Sequence, residues 1–170
     1  MNDRLQVERQ RAAAKGEEYA DSIDFPVQWS VGAPLPLLLV NELRALLAFR
    51  TSEGDNSEDG NDIEPLALVD FESCYAAKLG GPNDEILNGH PLYGKGLAPY
   101  SAQRVVNSRW LAELEEINRV HRQYRASMWR DRKHFILWFH DSVFECIAES
   151  FRVEVNRMPI RELLHKMANG

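Results

Sequence analysis

The stretch His134–Asn156, HFILWFHDSVFECIAESFRVEVN, constrains the fold more than any other part of the chain. Its apolar residues alternate, and a strand puts alternate side chains on opposite faces. With a tight turn at Asp141-Ser142 and two antiparallel arms, Phe139 faces Phe144, Leu137 faces Cys146 and Phe135 faces Ala148. All six then share one apolar face. The opposite face carries Trp138 against Glu145, Ile136 against Ile147, His134 against Glu149 and His140 against Val143. A slip of one residue would mix the two sets, so the pattern itself argues for the register. A rival reading makes Ser142-x-x-Glu145 a capping box opening a helix. That helix would end at Phe151, with almost no connection before the alternating Phe151, Val153 and Val155, whereas a return parallel to the first strand needs a crossover of about a dozen residues. The hairpin is preferred.

Around it the chain divides by pattern. Residues 2–21 predict a surface helix, with Leu5, Ala12 and Tyr19 at every seventh place. Val27–Val31 suggests a short strand, and Leu35–Thr51 a second hairpin turning at Asn41-Glu42. Leu66–Lys78 predicts one strand with Ala67, Val69 and Phe71 on one side, stopped by Gly80-Gly81-Pro82. Residues 83–100, rich in Gly and Pro, predict an irregular but ordered segment. Asn107 or Ser108 caps a helix whose apolar stripe is Trp110, Leu111, Leu114, Ile117 and His121. Pro159 suits the first turn of a last helix, with Ile160, Leu163, Leu164 and Met167 at helical spacing. The expectation is an α+β fold: an antiparallel sheet with helices packed on one face, and helices at both ends of the chain.

A chain of 170 residues fits one domain over 1–170, interrupted by the loop 52–64, SEGDNSEDGNDIE. That loop holds six acidic and no basic residues, which predicts mobility. No apolar run reaches the ~18 residues of a spanning helix. The amino-terminal stretch is charged and lacks the apolar centre of a secretory signal. A cytoplasmic protein without a membrane role is the expectation.

Several motifs suggest chemistry. Gly89-His-Pro-Leu-Tyr-Gly94-Lys95-Gly96 matches seven positions of a phosphate-binding loop, but Gly96 stands where the magnesium-binding hydroxyl belongs. A structural Gly-rich loop is the stronger reading. Asp55-x-Ser57-x-Asp59-Gly60 begins like a calcium loop, yet Leu66 occupies the place of the closing glutamate. Cys74 and Cys146 have no nucleophile signature around them and are expected as reduced, structural thiols. His140, Glu145 and His90 are the candidate catalytic residues: a carboxylate beside a histidine fixes its tautomer and raises its pKa, and the Gly-rich loop would bring in His90. Against this stands the plainer reading, in which the histidines cover the sheet. No set of residues with cofactor or structural-metal spacing is present, so no cofactor or metal is expected. The basic segment 119–133 interleaves arginines with Tyr124 and Trp129 and could meet an anion or a single nucleic-acid strand. A net charge of −6 argues against nucleic acid as the general partner.

Read together, Gly80-Gly-Pro-Asn-Asp-Glu85, Gly89-His-Pro-Leu-Tyr-Gly94, Val106-Asn-Ser-Arg-Trp110 and the stretch from His134 to Ala148 resemble a family of small proteins of unknown function, over roughly residues 65–150. The resemblance implies one domain and carries over no activity or site residue.

Two functions follow as expectations. One is a binding protein, an acidic inhibitor or immunity-type protein recognising a basic protein partner through long-range attraction. The other is a small enzyme using a His/Glu acid–base pair near the Gly-rich loop. Three or more of His90, Asp84, Cys74, His140 and Glu145 meeting in one concave pocket would favour the enzyme.

Overall fold

The computed structural model describes residues 3–52 and 65–169. Among the described residues, nine strands form two antiparallel sheets. The first five strands are β1 (Tyr19–Ser22), β2 (Leu37–Val40), β3 (Ala45–Arg50), β4 (Leu66–Glu72) and β5 (Ala76–Gly80). They are followed by β6 (Ala102–Val106), β7 (Lys133–Trp138), β8 (Val143–Ala148) and β9 (Ser150–Asn156). One sheet runs β1-β6-β7-β8-β5 and the other β2-β3-β4-β9. The helices are α1 (Asp3–Ala14), α2 (Arg109–Asn118) and α3 (Ile160–Asn169). The fold is α+β, with a helix at each end of the described chain.

The main core fills the space between the sheets. Phe135, Leu137, Phe139, Phe144, Cys146 and Ala148 from the hairpin meet Leu47, Phe49, Val69 and Phe71 of the other sheet. The rings interlock: Phe139 lies 4.9 Å from Trp29 and 5.2 Å from Phe49, and Phe71 lies 5.0 Å from Phe144, centroid to centroid. Each sheet has its other face covered separately. Leu163 and Met167 of α3 close over Leu46, Ala48, Leu66 and Leu68. Leu92 and Leu97 of the segment between β5 and β6 close over Ala20, Val105, Ile136, Trp138 and Val143.

The hairpin exists, and its two faces are those the alternation predicts. Its register differs by two residues. Leu137 pairs with Phe144, Phe135 with Cys146 and His134 with Ile147. The turn is the four-residue Phe139–Ser142, closed by Phe139 N–H donating to Ser142 O at 2.8 Å. The carbonyl of His140 is taken from outside the hairpin, by Asp84 N–H at 2.9 Å. A shift of two preserves every residue's face, which is why the core is as expected while the partners are not.

Three further expectations need correcting. Leu66–Lys78 is not one strand in one sheet. It bends at Ser73, which has φ +52°, and contributes β4 to one sheet and β5 to the other. Its partner does the same between β8 and β9, so the ladder runs from Glu72↔Ser150 to Ala76↔Ile147 with one extra residue on the β4–β5 side. An extra residue of this kind bends a strand and lets it change sheets. The amino-terminal helix ends at Ala14, not at residue 21. Gly16, at φ +67°, follows it, Glu17 N–H reaches back to Ala12 O at 3.0 Å, and Tyr19–Ser22 is a strand paired with β6. Val27–Val31 is represented only by a bridge between Trp29 and Thr51. The second hairpin turns as expected: Asn41 Oδ1 accepts from Leu43 N–H and Arg44 N–H at 2.9 and 3.0 Å. Most of the acidic loop 52–64, including the calcium-like residues, lies outside the described residues.

Candidate functional site

The outer face of the five-stranded sheet is covered only in part, and a cleft remains between the Gly-rich segment and α2. Its floor is built by cross-strand pairing. Lys78 on β5 lies directly opposite Glu145 on β8, and His134 on β7 is a diagonal neighbour of Glu145. Glu145 Oε1 takes an ion pair with Lys78 Nζ at 2.8 Å, and Oε2 accepts from His134 Nε2–H at 2.8 Å. The second histidine nitrogen, Nδ1, meets Ser108 Oγ at 2.8 Å. Ser108 caps α2, its Oγ accepting from Leu111 N–H at 3.1 Å, so its own proton is free to go to Nδ1. The chain Ser108–His134–Glu145–Lys78 therefore runs across three strands into the first turn of α2. His134 and Glu145 are only 5% and 9% exposed.

Burial acts to raise the Glu145 pKa, but the hydrogen bonds from His134 and Lys78 more than offset it and hold the carboxyl at about 2. Glu145 is thus a fixed anion with both oxygens occupied. His134 has both nitrogens occupied. Lys78 differs: its side chain is 56% exposed and its ammonium lies 4.5 Å from the Trp110 ring centre, so it faces the cleft with donors to spare.

The cleft has a volume of about 540 Å³, within the range of small-molecule sites. Glu18, Arg109, Trp110 and Glu113 wall one side, and Gly80-Gly81-Pro82 and His90–Leu92 the other. His90 stands edge-on to Trp138 at 5.3 Å. Its Nδ1 accepts from Leu92 N–H at 3.2 Å, which leaves the ring proton on Nε2. Burial lowers the His90 pKa, and Lys78 adds to that effect. His90 is thereby held as a neutral imidazole with a fixed N–H donor. Arg109 is paired with Glu18, whose carboxylate also accepts from Arg109 N–H at 3.1 Å.

Of the three residues the sequence proposes, His90 and Glu145 meet in this cleft and His140 does not. His140 is committed elsewhere: Nδ1 lies 2.9 Å from Tyr100 Oη and 3.1 Å from Asp84 Oδ2, and Tyr100 also donates to Asp84. The Asp84 carboxylate raises the His140 pKa and pushes the Tyr100 hydroxyl up to about 12. This cluster latches the segment after β5 onto the turn of the β7–β8 hairpin. The residue that takes the place expected of His140 is His134. In the expected register it faces Glu149; the shift of two residues brings it beside Glu145. Lys78 and Ser108 carried no sequence signal beyond their elements.

The phosphate-loop likeness has a structural account. Gly96 has φ +87°, and a Cβ there would sit 2.5 Å from Ala20 O and 2.4 Å from Arg9 Cγ, so glycine is required by close packing against α1 and β1. Buried Gln103 clamps the same segment, donating to Gly96 O at 2.7 Å and accepting from Ala98 N–H at 2.9 Å. Cys74 and Cys146 are free, buried thiols. Their contact lowers the pKa of Cys74, while burial raises that of Cys146. Among the described residues, no group of three or more histidine, cysteine or acidic side chains could hold a metal ion. No helix among them is long and apolar enough to cross a membrane.

No family model, curated protein or solved structure matches the chain. The stretches Gly80–Glu85, Gly89–Gly94, Val106–Trp110 and His134–Ala148 each contribute to the wall or floor of this one cleft.

Proposed function

We propose that the protein binds a small molecule carrying a carboxylate or carbonyl oxygen in this cleft. The observation behind this reading is that Lys78 and His90 both present N–H donors there, held in place by partners on their other sides. Preorganised donors facing an open cavity recognise an oxygen acceptor without having to order themselves on binding. The indole of Trp110 offers an apolar surface beside them, and Glu113 an acceptor at the rim.

The acid–base enzyme reading is weaker in its original form. Glu145, at about 2, is too weak a base for neutral pH, and His134 has no free nitrogen. Only two of the five residues named as the test for an enzyme share the cleft. The acidic binding-protein reading also loses its footing on the described surface: the six acids of residues 53–64 equal the whole net charge of −6, so the remainder of the chain is balanced. Any steering of a basic partner would fall to that segment.

The test is thermal shift against a panel of small carboxylates and carbonyl compounds, on the wild type and on Lys78→Gln. A compound that stabilises the wild type and loses most of its effect in Lys78→Gln supports the reading. Equal shifts in both proteins, or none across the panel, would reject it.

A further inference from the structure

A second cavity, of about 750 Å³, lies beyond the far end of α2 from the cleft floor, where the segment 119–133 folds back over Tyr75. Three arginines line it, Arg122, Arg125 and Arg132, and none of them has a carboxylate partner among the described residues. Among the described residues no aspartate or glutamate lines the cavity; Glu115 approaches it through Oε1, which accepts from the hydroxyl of Tyr124. This concentration of positive charge stands out on a molecule whose net charge is −6. Arg132 is built into the wall. Its guanidinium lies 4.5 Å from the Tyr75 ring centre and 4.6 Å from that of Trp129, its Nε donates to Met128 O at 3.2 Å, and Nη1 is buried without a hydrogen-bond partner. The two rings meet edge to face at 5.0 Å, and Asn118 Nδ2 donates to Tyr75 Oη at 3.1 Å. Stacked in this way Arg132 is a fixed cation, and the bidentate geometry that suits a phosphate falls to the exposed Arg122 and Arg125.

We propose that this cavity is a binding site for a small phosphate-bearing ligand of the nucleotide class. The phosphate would sit between Arg122 and Arg125, whose exposed guanidiniums supply charge and N–H donors, with Arg132 as a fixed cation in the wall behind them. Tyr75, 40% exposed, and Tyr124 supply the flat surfaces on which a base stacks. The site is independent of the cleft beside Lys78, and neither reading needs the other.

The experiment is calorimetric titration of the full chain with AMP, adenosine and inorganic phosphate, on the wild type and on Arg122→Gln/Arg125→Gln. Both of these arginines are exposed, so the double variant keeps the fold, which a thermal melt verifies. AMP should bind the wild type, at least tenfold tighter than adenosine. The double variant should lose at least tenfold in AMP affinity, and Lys78→Gln should lose none. Absence of AMP binding up to millimolar concentration, or unchanged affinity in a folded double variant, overturns the proposal. So does binding that appears only after residues 53–64 are deleted, which would assign the arginines to that segment. Tight binding of a single-stranded oligonucleotide with AMP silent would overturn it in favour of a nucleic-acid surface.

Discussion

Replacing Glu145 with glutamine should flatten the acid limb of the stability profile. The folded carboxyl titrates at about 2 against an ordinary value of 4.5. A depressed folded pKa contributes stability that is fully present above about 4.5 and is lost as pH falls toward 2. The shift corresponds to about 3 kcal/mol in all, at about 1.4 kcal/mol per unit, of which about 2 kcal/mol is gone by pH 3. Glutamine keeps an oxygen for His134 Nε2–H but gives up the ion pair with Lys78. Because Lys78 is half exposed and regains water, the cost at neutral pH should be only about 1–3 kcal/mol. Urea melts of both proteins at pH 7 and pH 3 read these quantities. Other carboxylates contribute equally to both, so the difference reads position 145 together with its partner His134. The wild type should lose about 2 kcal/mol more than the variant between the two pH values. If both lose the same amount, the carboxyl is not held by Lys78 and His134 as described, and the floor of the cleft is misassigned.

Other substitutions probe the frame. Phe139→Ala, emptying a site packed on Trp29 and Phe49, should cost about 3–5 kcal/mol in denaturant melts, whereas His140→Ala, 40% exposed, should cost far less. Leu163→Ala should cost about 2–5 kcal/mol, because α3 is held through Leu163 and Met167; a near-neutral result would mean that α3 does not cover its sheet. Gly96→Ala should destabilise by about 1–3 kcal/mol or displace the Gly-rich segment, readable as a lower melting temperature, since both φ and the approach of Ala20 O exclude a Cβ.

Face assignment was legible in the sequence because it depends on a period of two, and that period survives a register shift of two. Hence Phe135, Leu137, Phe139 and Phe144 occupy the core as the alternation requires. Partner assignment was not legible, because the turn length depends on a contact from outside the hairpin, Asp84 N–H on His140 O. One consequence is that His134, not His140, meets Glu145. The bend at Ser73 was hidden for a similar reason: Ser73-Cys74-Tyr75 contains neither Gly nor Pro, and the change of sheet is set by the matching bend between β8 and β9. Gly16 did carry a stop signal, and Tyr19 at heptad spacing obscured it. Ser108 was recoverable from capping rules, but the expected stripe overran the helix: α2 ends at Asn118, Ile117 is exposed and His121 lies beyond it; nothing in the sequence ties Ser108 to His134. That link depends on where α2 lies against β7.

The central claim is that Lys78 and His90, not His134, meet the ligand. Long-range ¹H–¹⁵N correlation of the imidazole nitrogens, recorded while a stabilising carboxylate from the panel is titrated in, tests it most directly. The account predicts a progressive shift of the His90 Nε2–H signal with its Nδ1 still accepting from Leu92 N–H, and His134 signals that stay in place because both nitrogens are already bonded. Movement of the His134 nitrogens with His90 unmoved would contradict it.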